Sequence, residues 1–189
     1  SAPTILTPGQ KPPSAMLHNT ETQEPLLLDA KTYKRLPVEF ADTPNMFAKK
    51  MKGGLWSPDS KLIINESIFG SPVIFDAQTG KVIMQLKQPD SNINQKSIWS
   101  PDSKQIAIDG NEKGIWIYSI GGSETGQPLP NAEGECHSLT WSPDSQSIAF
   151  FNDSHCLIVS SPDGKVTRLK VPLKTEGRDL GWSPDGKRF

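Results

Sequence analysis

The two cysteines and two of the three histidines stand in mirrored order, Cys136-His137 and His155-Cys156, the donor set of a Cys2His2 zinc site. Strand geometry argues against a shared ion. Neighbours on a strand point to opposite faces, so Cys136 and His137 diverge. A hairpin centred on Pro143-Asp144 sets Cys136 opposite about Phe151, and a turn at Asn152-Asp153-Ser154 sets Phe151 opposite about Cys156. The thiols are then a whole strand apart, roughly 9.5 Å at ~4.8 Å per strand step, beyond disulfide reach. The short Cys-x-x-Cys knuckle is also absent. Both cysteines read as buried free thiols, with no metal and no cofactor. A second candidate is Gly121-Gly122-Ser123-Glu124-Thr125-Gly126, which invites comparison with the Gly-x-Ser-x-Gly nucleophile elbow. It fails, because position 125 is Thr, and the segment reads as a polar turn. His18, His137 and His155 are scattered, and no paired carboxylates stand out. The expectation is a protein that is not an enzyme.

The charge balance points the same way. A net charge of −1 offers no electrostatic pull toward nucleic acid or an anionic membrane. Lys49, Lys50 and Lys52 lack the interleaved aromatics of a nucleic-acid platform and fit an exposed strand edge. Asn65-Glu66-Ser67 and Asn152-Asp153-Ser154 match the glycosylation pattern. No apolar run approaches the ~20 residues that span a bilayer. The sequence opens Ser1-Ala2-Pro3-Thr4, without the charged and apolar regions of a signal peptide. Hydrophobic residues make up 34 %, beside 15 Gly and 17 Pro, the composition of many short strands and turns.

The elements follow from a repeat. Trp56-Ser57-Pro58-Asp59-Ser60 recurs as Trp99-Ser100-Pro101-Asp102-Ser103, as Trp141-Ser142-Pro143-Asp144-Ser145 and as Trp182-Ser183-Pro184-Asp185-Gly186. The tryptophans step by 43, 42 and 41 residues. Each string reads as a hairpin turn. Ser accepts a bond from the backbone ahead, Pro fixes φ, Asp tolerates the bridge region, and Ser or Gly takes a left-handed position. A short apolar strand follows each turn, as in Gln105-Ile106-Ala107-Ile108 and Ser147-Ile148-Ala149-Phe150. Two further strands and their turns complete each unit, with no sustained helical period. Four strands in about 42 residues is one propeller blade.

These residues resemble a known repeat. Trp-Ser-Pro-Asp-Gly/Ser followed by Ile-Ala-Phe, then by a Tyr- or Phe-containing strand and a Thr-Gly-Lys turn, is similar to the WD-like repeat. That repeat occurs in the TolB-like family and in the propeller domains of prolyl oligopeptidase-type proteases. The resemblance covers roughly residues 25–189. The Gly-His and Trp-Asp dipeptides of true WD repeats are absent, which favours the TolB-like branch. The resemblance implies an all-β β-propeller of about four four-stranded blades in a bacterial, extracytoplasmic setting, periplasmic or secreted.

Residues 1–13, with four prolines, read as an irregular arm before a propeller over 14–189. Residues 14–38 read as a partial blade without its innermost strand, while 178–182 read as an innermost strand. Joining the two would close a four-bladed ring. The alternatives are a piece of a larger propeller or half of one completed by a second copy, so monomer or dimer stays open. Counting four residues back from each Trp gives Lys52, Gln95, His137 and Arg178, which share the face of the tryptophans if strict alternation holds. Gly53-Gly54 threatens that register with a bulge. Such a ring at a channel mouth would suit a carboxylate or phosphate, although solvated side chains at a wet mouth explain it better. The expected function is a non-catalytic interaction module whose partner is another protein. The alternatives are an accessory propeller of a prolyl oligopeptidase-type hydrolase and an anionic-ligand site at the channel mouth.

Overall fold

The computed structural model describes residues 14–18, 25–29, 51–67, 72–87, 96–110, 113–152, 156–160, 165–170 and 180–188. The N-terminal arm, the strand expected at 33–38, Lys49, Lys50, Gln95, His155 and Arg178 lie outside the described residues. The described chain is all-β, without an α-helix, and its strands form four separate antiparallel sheets.

The first sheet pairs β1 (Ser14–His18) with β2 (Pro25–Asp29). The second runs β3 (Met51–Trp56), β4 (Leu62–Ser67), β5 (Val73–Asp76) and β6 (Val82–Gln85). The third runs β7 (Ser97–Trp99), β8 (Gln105–Asp109), β9 (Ile115–Ser119) and β10 (Gln127–Pro128). The fourth runs β11 (Cys136–Trp141), β12 (Ile148–Asn152), β13 (Cys156–Ser160) and β14 (Val166–Lys170). In each four-stranded sheet the first strand ends on the Trp of the recurring string, and strand order follows chain order. Each of these first strands lies beside the next: β3 against β7, and β7 against β11. β1 lies beside β3.

The second strand of each sheet carries consecutive apolar residues because neighbouring sheets cover both its faces. In β8, Ile106 and Ile108 point one way, into a core with Ile64, Ile74 and Leu86 of the second sheet and with Trp99 and Tyr118 of their own. Ala107 points the other way, toward Leu139, Trp141, Ile148 and Phe150 of the fourth sheet. A third core joins Ala149 and Phe151 to Leu180 and Trp182. A fully buried Ile or Phe contributes about 2 kcal/mol by the area it removes from water. The core is therefore divided into layers between sheets. The fourth strands bury far less, and β6 leaves Val82 and Ile83 exposed.

Register differs from the expectation at the inner strands. Cys136 faces Asn152, not Phe151, and Phe151 faces Leu157. The turn sets this, since Trp141 pairs with Ile148 and Thr140 with Ala149, so the hairpin is centred between Asp144 and Ser145 and not on Pro143-Asp144. A β-bulge between His137 and Thr140, where Ser138 takes a left-handed φ of 56°, then takes up one extra residue of β11. A second bulge lies between Met51 and Gly54, where the glycine pair signalled one. The separation of the cysteines stands, since β12 lies between the strands that carry them.

Candidate functional site

The four recurring strings build one continuous surface, and each is made the same way. In the second sheet the Ser57 hydroxyl accepts from the Leu62 amide at 2.9 Å and donates to Asp59 Oδ1 at 2.7 Å. Asp59 Oδ1 also accepts from the Lys61 amide at 3.1 Å, and the Ser60 amide closes the turn on the Ser57 carbonyl at 2.9 Å. Ser100, Ser142 and Ser183 repeat the arrangement with Asp102, Asp144 and Asp185. Most of these serines are shielded from competing water. Ser57, Ser100 and Ser142 are buried, and Ser183 is half-buried.

The hairpins are then bound to one another. The Asp59 amide donates to Ser103 Oγ at 3.0 Å, and the Asp102 amide donates to Ser145 Oγ at 3.1 Å. Beneath them the indoles bridge the same seams. Trp99 Nε1 donates to the Leu55 carbonyl at 3.0 Å, Trp141 to that of Ile98 at 3.3 Å and Trp182 to that of Thr140 at 3.4 Å. In every case the acceptor is the residue just before the preceding Trp. Trp56 breaks the series: among the described residues its buried Nε1 has no hydrogen-bond partner, and neither has Asn65 Oδ1 on the adjacent strand.

The outer side of this row is exposed. It presents Pro58, Pro101, Pro143 and Pro184, with Lys61, Lys104, Gln146 and Lys187 beside them. Lys61 and Lys104 lie 3.8 and 3.9 Å from Asp59 and Asp102. Such exposed pairs contribute little stability. What they supply is a fixed pattern of both charges on a surface whose main chain is held from behind.

The four residues expected at a channel mouth are not assembled by the described residues. Lys52 lies on β3 and His137 on β11, both at the strand end remote from the hairpins. Both sit at the bulges, so strict alternation does not connect them to Trp56 and Trp141. Gln95 and Arg178 lie outside the described residues.

Other candidate chemistry resolves into structure. Cys136 is buried, and its thiol lies 3.6 and 3.5 Å from the carbonyls of Ala132 and Gly134. Among the described residues no group of three His, Cys, Asp or Glu could hold a metal ion. The Gly121–Gly126 stretch is the connection between β9 and β10, with Gly121 left-handed at φ 75°. Burial pushes the Tyr118 hydroxyl up to about 12, and it donates to the Lys87 carbonyl at 3.0 Å across the first seam. The Ser–Asp–Lys pattern was visible in the sequence. The seam bonds were not, since their partners are set by packing between sheets.

No protein-family model matches this chain, and no curated protein matches it.

Proposed function

We propose that the chain is a propeller of the TolB-like type, its sheets serving as blades, and that it works as a non-catalytic scaffold docking another protein on its hairpin rim. The observation that carries this reading is the row of four hairpins, three of them bonded main chain to side chain across their seams. A surface held this rigidly loses little conformational entropy when a partner lands on it. Its exposed prolines and alternating Asp and Lys side chains form a broad polar face, which suits a protein surface better than a small molecule that needs a cavity.

A photocrosslinking residue at Lys104 or Gln146, both exposed on the rim, tests the reading, with exposed Gln78 as the control. In extract from the source cells, Lys104 and Gln146 should each give one discrete protein adduct that excess unmodified chain competes away. Equal labelling from Gln78, or no competable adduct from the rim, overturns the proposal.

A further inference from the structure

We infer that Trp56 and Asn65 hold one hydroxyl oxygen between them on the apolar face of the second sheet, the oxygen accepting from Trp56 Nε1 and donating to Asn65 Oδ1. The ligand is a small uncharged hydroxyl compound, either an ordered water or the alcohol group of an organic molecule. Such a site is independent of whatever lands on the hairpin rim.

Register places the two side chains together. Trp56 pairs with Ile63 and Gly54 with Asn65, while Ile63 and Asn65 pair in turn with Phe75 and Val73. Directly paired residues share a face, and so do residues two apart on a strand. Gly54, Trp56, Ile63, Asn65, Val73 and Phe75 therefore line one face. Ile64 and Ile74, on the opposite face, pack into the core shared with the third sheet. Trp56 and Asn65 are diagonal neighbours, with Cα atoms roughly 7–8 Å apart. That spacing suits a single bridging atom with bonds of about 2.8–3.0 Å to each side.

The same positions in the other sheets are filled differently. Nine residues after its Trp, the third sheet carries Ile108 and the fourth Phe150, both buried in apolar cores, whereas the second carries Asn65. The Gly54–Asn65 pair replaces Ser97 opposite Ile108, and Leu139 with Phe150 in one core. Glycine and asparagine fill less of the layer than leucine and phenylalanine do, which leaves room beside Trp56. The hydrogen bonding departs at the same place. Trp99 and Trp141 donate to main-chain carbonyls, but Trp56 Nε1 and Asn65 Oδ1 are buried without partners, and Asn65 is only 1 % exposed. One orphaned donor and one orphaned acceptor on one face are the complement of a hydroxyl, which accepts and donates at a single atom. Buried waters occupy such places because they satisfy otherwise unpaired polar groups. None of the six lining residues carries a charge, so an ion would be left without a counter-charge there, and the ligand is uncharged.

The test is an NMR measurement on the intact chain, with the Trp56 indole proton assigned through Trp56→Phe. In the unmodified chain that proton should show dipolar cross-peaks to a long-lived water, with the sign that separates contact from proton exchange. The indole protons of Trp99 and Trp141, bonded to carbonyls, should show none. If the hydroxyl belongs to an organic molecule, isotope-filtered spectra should instead connect the Trp56 indole to carbon-bound protons outside the protein, and denaturation should release that molecule for mass spectrometry. Asn65→Leu, which restores the apolar residue type of the other sheets, should abolish either cross-peak. A Trp56 indole in contact with protein protons alone overturns the site, and that reading needs no variant to fold. A cross-peak that survives unchanged in Asn65→Leu overturns it as well.

Discussion

Within each string the Asp carboxylate is the most heavily used group, and its titration reports the turn. The Ser142 hydroxyl and the Gln146 amide hold Asp144 below the usual carboxylate range. Burial pushes Asp102 upward, but the Ser100 hydroxyl, the Lys104 amide and the Lys104 charge outweigh it and leave a lowered value. Asp76, in the turn after β5, behaves likewise: burial raises it, while the Thr79 and Gln78 donors bring it down further. A carboxylate lowered by folding stabilises the fold fully above its unfolded value of about 4, and that contribution is lost as pH falls through the folded value. The urea midpoint should therefore be flat from neutral pH to about pH 5 and fall below it. Carboxyl titration followed by NMR should show Asp144 moving up toward the usual range in Ser142→Ala, with Asp76 unmoved. If Asp144 titrates unchanged in that variant, the hydroxyl is not its main partner. The final residue of the string follows a different logic. Ser60, Ser103 and Ser145 accept a left-handed φ of 62° that costs a side chain about 1 kcal/mol. At 103 and 145 the seam bond offsets it, whereas Gly186, at φ 68°, has no such cost and no hydroxyl to give Asp144.

At the scale of the element, connections are as constrained as strands. Gly114 opens β9 with a φ of 74°, and a Cβ there would run into the backbone carbonyl of Ala132. The same carbonyl accepts from the Ile115 amide at 3.1 Å, so it cannot retreat without loss. Gly114→Ala should cost about 3 kcal/mol or more, through strain and a backbone clash together, whereas Gly121→Ala, with open space around it, should cost only the left-handed penalty of about 1 kcal/mol. Thermal denaturation of the two variants checks the difference, and equal losses would show that the 132–134 connection yields. The same distinction between local and distant causes separates what could be read in the chain from what could not. The hairpins were legible because Ser, Pro and Asp act on their own turn. Strands such as Gln105–Asp109 were legible because covering both faces demands consecutive apolar residues. The bulge at Ser138 was not legible, because no glycine marks it and Ser adopts the left-handed conformation only within the packed sheet. That one extra residue removed the basis for placing His137 by alternation, while a turn centred one residue beyond Pro143-Asp144 set Cys136 opposite Asn152. β10, only two residues long, carried too little pattern to predict.

For the molecule as a whole, the named strands of the described residues pair only within their own sheets, and beyond one isolated bridge of Lys87 with Thr125 what joins the sheets passes through the seams. Each of the two seams between the four-stranded sheets is an apolar layer with a Trp in it and a pair of periodic hydrogen bonds at its rim. Such a structure has nearest-neighbour energetics: a sheet responds to the two seams that bound it and only weakly to the rest. Trp141 belongs to the seam between the third and fourth sheets, where it is buried among Ile115, Ile148 and Phe150. Trp141→Ala should cost about 3–5 kcal/mol, as large aromatic truncations in packed cores do. Its more telling effect is on cooperativity. The first seam keeps Trp99, Ile106 and Tyr118 intact, so amides of β4 and β8 should stay protected from exchange at urea concentrations where those of β12 have lost protection. In the unmodified chain the three strands should lose protection together if the seams are matched in strength. Hydrogen exchange by mass spectrometry across a urea series separates the cases. Loss of all protection in one step in Trp141→Ala would mean that coupling runs through the whole molecule rather than from seam to seam.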